Sequence, residues 1–438
     1  MRKAVKATAL LFTAAGAGLA ATAAAEAGSF ALREQSTIGL GQAYAGAAAG
    51  AAGLSSMYWN PATMTQFSGL QTELNVAGIF PNANVSPVAG TSPLLMLLGG
   101  TSGSGDIAAD AALPSGYLSY QLTDKLWLGL AVNVPFGLST KYPFNYSGQI
   151  YARESTVRSV DINPTIAYQV TDWLSLGLGV QALYFRTSLS QATSPLPYAP
   201  GALLEGQSWG AGVTAGVTVK PFAGTEIGLG YRSTVGESLS GDLSLGAKVS
   251  SLPAGLYGVD ANLMMPDQVS LGIRQQITPA LTVSGGFEWT NWSRLNHVGV
   301  VGNAGLTNGA TLTTLPFEYN DGYYLSIGAE YKLNENYTFR GGLGYEWSPI
   351  TTTNRDLRVP DSNRLSVALG MGYRLNDNLS FDFGYSHLFT TGNGNVELVP
   401  GNPHYETGLP FVGSVSSDVD LVSVGMTYKF GTYKFSGL

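Results

Sequence analysis

In LTVSGGFEWT, residues 281–290, Leu281, Val283, Phe287 and Trp289 fall on one side of an extended chain, and Thr282, Ser284, Glu288 and Thr290 fall on the other. LSFDFGYSHLF repeats this, with Leu379, Phe381, Phe383 and Tyr385 against Ser380, Asp382, Gly384 and Ser386. NYTFRGGLGYEW sets Tyr337, Phe339, Leu343 and Tyr345 against Thr338, Arg340 and Glu346. The period of two predicts fourteen strands, near 70–80, 113–122, 126–136, 158–170, 173–186, 208–220, 225–242, 267–277, 281–290, 323–333, 337–347, 363–375, 379–389 and 420–430. Tight turns at 123–125, 171–172, 223–224, 278–279, 334–336 and 376–378 alternate with long loops. An all-β, up-and-down antiparallel barrel produces that asymmetry, with short turns on the periplasmic side, long loops outside and both chain ends periplasmic. About ten residues rising about 3.3 Å each, tilted near 40°, cross an apolar band about 25 Å tall.

Composition points the same way. Only 12% of the 438 residues are charged and 45% are hydrophobic, against about 25% charged in an ordinary soluble domain. No run of about 18 apolar residues follows the leader, so a helical membrane protein is excluded. Arg2, Lys3 and Lys6 followed by an Ala/Leu/Gly-rich stretch read as a signal peptide over 1–25, with cleavage between 25 and 27. Its removal leaves 19 basic residues against 29 acids, or 28 if Glu26 is also lost, a net charge of −10 or −9 that argues against nucleic acid as a partner. Cysteine is absent, so disulfides and thiolate chemistry are excluded. The three histidines, His297, His387 and His404, have neither metal-ligand spacing nor a nucleophile motif beside them. We therefore expect no catalytic residues, metal or cofactor.

Two features go beyond an inert wall. Residues 28–69 do not alternate, yet are too apolar for a soluble arm, and a barrel of fourteen strands has a lumen wider than its own side chains fill. The segment is expected to sit inside the wall (70–430) as a plug, with MYWNPATMTQF, residues 57–67, turned at Asn60-Pro61. In the third strand, LAVNVPFGLST breaks its alternation at Pro135, Phe136 and Gly137, where proline removes a ladder hydrogen bond. A kink, or only a packing irregularity, is expected there. The outer segments SPLLMLLGG (92–100), SPLPYAPGALL (194–204) and LPAGLYGVDANLMMP (252–266) carry Leu196, Leu203, Leu204, Leu256, Tyr257, Met264 and Met265. They read as loops that capture an apolar cargo or fold onto one another as a cap. A tail, 431–438, follows the last strand, LVSVGMTYKF.

Residues 28–69 contain FALREQSTIGLGQAYAG followed by NPA at 60–62. This segment closely resembles the N-terminal hatch of the outer-membrane long-chain fatty-acid and hydrophobic-compound transporter family, the FadL/TodX type. PFGLSTKY (135–142), YRS (231–233), WTNWSRL (289–295), NYTFRGGLGYEWSP (336–349) and VPDSNR (359–364) look like family segments in family order. The resemblance implies a fourteen-stranded barrel with an N-terminal hatch, passing hydrophobic molecules through the outer membrane without an energy source. It implies a lateral opening at the third-strand kink, beside Asn60, Pro61 and Ala62. It sets Arg186 and Asn320 at the positions where fatty-acid members supply a basic pair for the head group, and Phe30 where an aromatic closes the pocket. Asn320 replaces a lysine in that pattern, so long-chain fatty acids and neutral aromatic or aliphatic hydrocarbons both stand as cargo, and Arg186 could equally be a lumen arginine paired with a wall carboxylate. A structural or adhesive barrel is the third reading. Expected partners are the hydrophobic cargo and outer-membrane lipid, around a monomer.

Overall fold

The computed structural model describes residues 29–430; the expected signal peptide, 1–25, and the expected tail, 431–438, lie outside the described residues. Apolar side chains face outward and polar ones inward. On Leu379–Thr390, Phe381 and Phe383 are 42% and 43% exposed, whereas Asp382 and Ser386 are buried. That inversion of a soluble sheet suits a wall whose solvent is lipid.

The chain runs through β1 (Leu70–Pro87), β2 (Ala111–Thr123), β3 (Leu126–Asn133), β4 (Gly137–Lys141), β5 (Glu154–Thr171), β6 (Leu174–Ala192) and β7 (Gly201–Val219). It continues through β8 (Thr225–Arg232), β9 (Val235–Leu245), β10 (Gly255–Met265), β11 (Gln268–Gln276), β12 (Leu281–Thr290), β13 (His297–Gly302) and β14 (Thr311–Pro316). The last six are β15 (Gly322–Lys332), β16 (Tyr337–Trp347), β17 (Arg364–Arg374), β18 (Leu379–Thr390), β19 (Val396–Leu398) and β20 (Phe411–Lys429). Neighbours pair antiparallel, and β1 closes the ring on β20 from Gln71↔Lys429 to Pro87↔Gly413. The result is a closed barrel of fourteen wall strands.

All fourteen expected strands are present. Several extend further on the long-loop side, where β1, β5, β6, β7 and β20 continue to 87, 154, 192, 201 and 411. The stretch expected as one strand over 225–242 is broken after Arg232. Similar breaks separate β3 from β4, β10 from β11, β12 from β13 and β14 from β15. The broken backbone finds side-chain partners: Ser233 Oγ accepts the Val213 N–H at 2.9 Å, and Ser159 Oγ accepts that of Phe136 at 2.9 Å. Such substitution is what buried backbone groups require. Above the breaks, β4 to β7, β9, β10, β13 and β14 form a half-wall.

Two aromatic belts bound the lipid-facing band. Tyr337 and Trp347 mark its edges on β16; ten residues at about 3.3 Å each span about 33 Å, or about 25 Å of height at a tilt near 40°.

Residues 30–67 lie in the bore. Thr37–Leu40 is a single helical turn capped by Ser36, whose hydroxyl accepts the Gly39 N–H at 2.9 Å. Three 3₁₀ turns follow at Ala47–Ala49, Gly53–Tyr58 and Pro61–Gln66. Asn60 caps the last: its Oδ1 accepts the Ala62 N–H at 3.0 Å, and Pro61, which has no N–H to leave unpaired, occupies the first helical position. Wall glycines let this backbone touch the strands. A Cβ at Gly216, Gly228 or Gly230 would run into Asn60, the Ala48 carbonyl or the Trp59 carbonyl. Thr37 Oγ1 and Ser423 Oγ are hydrogen-bonded at 2.6 Å, so the segment reaches the last strand as well.

Candidate functional site

Above the outer aromatic belt, the inner face of the half-wall encloses an apolar cavity of about 810 Å³, including its mouth. Alternation on each strand points Val157, Phe185, Leu189, Leu204, Leu239, Val259 and Val300 into it. The loop between β16 and β17 covers one end with Asp356, Arg358 and Val359.

Arg358 is the basic group at this cavity. Its guanidinium donates to Gln191 Oε1 at 2.5 Å, Ser190 O at 3.2 Å and Ser155 Oγ at 3.3 Å, all neutral acceptors. Asp356 turns its Oδ1 to the backbone N–H groups of Arg358 and Val359, both at 3.0 Å. Burial pulls the guanidinium below the ordinary arginine value, the nearby Asp356 carboxylate opposing the effect. Arg358 therefore presents a poorly compensated cation beside an apolar space, an arrangement suited to an anionic group on an apolar chain.

A second cavity lies deeper, bounded by Leu32, Arg33, Tyr58, Trp59, Phe136 and Arg232. It is ionic. Arg33 bridges Glu288 at 2.9 Å and Glu346 at 3.0 Å, and Arg232 meets Asp161 at 2.5 Å. Between the two cavities stands an aromatic partition: Phe30 meets Trp292 edge-on at 4.8 Å and Phe136 at 6.1 Å, and Phe136 meets Trp292 at 6.2 Å.

The third wall strand is open beside this partition. β3 ends at Asn133 and β4 begins at Gly137, while the β2–β3 ladder stops at Gly116↔Val132. The N-terminal segment covers the break from inside. Leu32 N donates to Pro135 O at 2.8 Å, and Gly137 N donates to Phe30 O at 2.9 Å. Gln35 Nε2 donates to Val134 O at 2.7 Å, and Gln35 O accepts from Ser115 Oγ at 2.9 Å and Tyr117 OH at 2.8 Å.

Several expected placements change. Phe30 does line the apolar cavity. Arg186 does not: it is on the outward face of β6, with an ion pair to Glu205 at 3.8 Å, while its neighbours Phe185 and Thr187 point inward. Asn320 is exposed in the break between β14 and β15, its N–H on Pro349 O at 3.0 Å; adjacent Tyr319 is the residue that turns in, against Trp292 at 6.1 Å. Both errors are one-residue slips, which reverse the face in a strand or extended segment. The break at Pro135, Phe136 and Gly137 exists, but it adjoins residues 30–35. Asn60, Pro61 and Ala62 instead pack under Gly177 and Gly216 of β6 and β7, where Asn60 Nδ2 donates to Val217 O at 2.9 Å.

The expected capture loops are partly strand. Leu203 and Leu204 belong to β7, and Leu256, Tyr257, Met264 and Met265 to β10. Leu204 lines the apolar cavity and Met265 the deeper one; Tyr257 packs beside Leu243 and Val259; Leu256, Met264 and loop residue Leu196 are exposed. Residues 92–100 form a short helix, Pro93–Gly99, with Leu95 buried and Leu97 exposed. Sequence reasoning missed Arg358, although Arg355 and Arg358 lie in one loop, just before Arg364 opens β17, in a chain with only 12% charged residues.

The sequence model of the outer membrane protein transport family (OMPP1/FadL/TodX) matches residues 18–430. Outer membrane protein P1 of Haemophilus influenzae is 30% identical over 422 residues, covering 87% of this chain and 88% of that protein. The long-chain fatty acid transport protein of Escherichia coli K12 is 26% identical over 399 residues, covering 82% and 87%. Among solved structures, a Pseudomonas aeruginosa FadL homologue superimposes with a TM-score of 0.80 at 24% identity, covering 92% of this chain and all of that one. The Ralstonia pickettii toluene transporter TbuX gives 0.66 at 19% identity, covering 91% and 100%. The chain thus belongs to the OMPP1/FadL/TodX family of outer-membrane transport proteins, and is a multi-pass outer-membrane β-barrel of a family that transports hydrophobic compounds.

Proposed function

We propose that this protein passes long-chain fatty acids across the outer membrane, without an energy source, and that residues 28–69 act as its hatch. The observation that carries this reading is Arg358, an enclosed guanidinium without a carboxylate ion partner among the described residues, at one end of the apolar cavity. Each methylene transferred from water into such a space contributes about 0.8 kcal/mol, and the carboxylate gains a charge-assisted hydrogen bond worth about 1.5–3 kcal/mol. The cargo then passes Phe30 when residues 30–35 shift, and leaves sideways through the break at 134–136 into the outer leaflet. That route spares the chain a watery channel. The names of the Escherichia coli and related proteins, long-chain fatty acid transport protein, support the same cargo.

Neutral hydrocarbons are the second reading, favoured by the predominantly apolar cavity lining and by the Asp356 carboxylate beside Arg358. The test is uptake of labelled oleate and labelled toluene in cells lacking their own transporter, expressing wild type, Arg358→Ala or Arg358→Lys. Oleate uptake should fall about 10-fold or more in Arg358→Ala and recover partly in Arg358→Lys, with toluene uptake unchanged. Oleate uptake indifferent to Arg358, with toluene carried, would move the cargo to the neutral class.

A further inference from the structure

Arg186 faces away from the bore, and so does the residue opposite it. Arg158 of β5 and Arg186 of β6 are directly paired in the ladder. Flanking Val157, Ser159 and Phe185 are buried on the inner face, so both guanidinium groups project from the outer face. One pleat closer to the membrane, Val160 stands opposite Tyr184, and Tyr184 packs on Trp209 at 5.3 Å. Below these, Ile162 and Val180 are lipid-facing. The arginine pair thus sits about 7 Å beyond the last apolar contacts, level with the head groups of the outer leaflet.

Two like charges directly opposite on adjacent strands repel, with Cβ atoms about 5 Å apart. The surrounding charges only partly offset this. Glu205 meets Arg186 at 3.8 Å, both half-exposed, and is itself faced by Asp242 across the β7–β9 ladder. Lys141 and Glu154, the next charged residues outward, satisfy each other at 3.6 Å. Tyr184 OH is engaged with Gln207 Oε1 at 2.9 Å. Among the described residues, no carboxylate lies within ion-pair distance of Arg158.

We propose that Arg158 and Arg186 form a binding site for a phosphate on the head group of an outer-leaflet lipid. A phosphate carries up to two negative charges and three acceptor oxygens, which two planar guanidinium forks can share, removing their mutual repulsion. Arg158 is paired with Gly137, the first residue after the open stretch of the third wall strand. The bound lipid therefore lies beside the break, at its outer edge.

The test uses full-length protein in detergent and measures binding of lipid A, of lipid A with its phosphates removed, and of oleate as a carboxylate probe. Wild type, Arg158→Ala/Arg186→Ala and Arg158→Lys/Arg186→Lys are compared, with heat-shifted gel mobility confirming that each barrel is folded. Wild type should prefer the phosphorylated lipid by about 10-fold, a preference lost in the double alanine variant and partly kept in the double lysine variant. Equal binding of phosphorylated lipid A by wild type and the double alanine variant overturns the proposal. So does equal binding of the two lipids by wild type, or a loss in the alanine variant confined to oleate.

Discussion

Phe30 meets Trp292 edge-on at 4.8 Å and thereby divides the apolar cavity from the ionic one beneath it. Phe30 comes from the N-terminal segment and Trp292 from the break between β12 and β13, so the partition joins two parts of the chain that are far apart in sequence.

Removing that ring should join the cavities. Phe30→Ala is expected to cost up to about 3 kcal/mol of stability, at the low end for a buried phenylalanine because the ring already borders open space. Apolar-cargo uptake should rise, and Trp292 fluorescence should shift to the red as water reaches the indole. An unchanged spectrum would mean that the partition does not depend on Phe30.

Gln35 binds both edges of the third-strand break through Val134 O, Ser115 Oγ and Tyr117 OH. Gln35→Ala removes the side-chain bond to Val134 O, a net loss of about 1 kcal/mol, and leaves the Asn133 amide without its bond to Gln35 Oε1. Amide exchange at residues 32–36 should quicken relative to the wall strands, with global unfolding little affected.

Backbone contact between segment and wall predicts a sharp contrast among glycines. Gly228→Val, which drives a branched side chain into the Ala48 carbonyl, should displace the 3₁₀ turn at Ala47–Ala49, destabilise by about 1–3 kcal/mol and raise uptake of a small polar dye. Gly299→Ala, with open space around the added Cβ, should leave both unchanged.

The Asn60 side chain makes three hydrogen bonds, accepting from the Ala62 N–H at 3.0 Å and donating to Ala48 O at 2.7 Å and to Val217 O at 2.9 Å. Asn60→Ala leaves buried backbone groups without partners, and a loss of about 2–3 kcal/mol is expected from the cap and the orphaned carbonyls together. Thermal unfolding followed by near-ultraviolet circular dichroism measures it.

The barrel was legible because lipid enforces the period of two: Phe381 and Phe383 have to face out and Asp382 in, and each strand repeats the signal. The strand breaks were less so. Ser233 and Thr234 interrupt β8 and β9 with residues that are ordinary in a strand, and only the three-dimensional ladder shows where pairing stops. β10 does alternate, with Tyr257, Val259, Ala261, Leu263 and Met265 on one face and Leu256, Gly258, Asp260, Asn262 and Met264 on the other, but exposed Leu256 and Met264 at its ends and the flanking Pro253 and Pro266 make the segment read as a loop. In the site, Pro135–Gly137 draws the eye because a proline inside a strand is conspicuous, whereas Phe30 is reached only through the family resemblance. Arg186 and Asn320 were each misplaced by one position, the smallest error possible along a strand and the largest across it. Arg358 escaped because a loop has no period from which to read a direction.

The hydrogen bond between Thr37 and Ser423 links residues 386 positions apart, one near the start of the described chain and the other on its final strand. A contact of that separation forms late, since the entropy of closing so long a loop is lost before the contact rewards it. The strand that seals β1 to β20 is the same strand that receives the N-terminal segment, so sealing the ring and seating its contents belong to one final step of assembly. Until β20 is delivered, the first forty described residues have an incomplete berth, and a chain truncated before residue 411 would lose its wall and its stopper together.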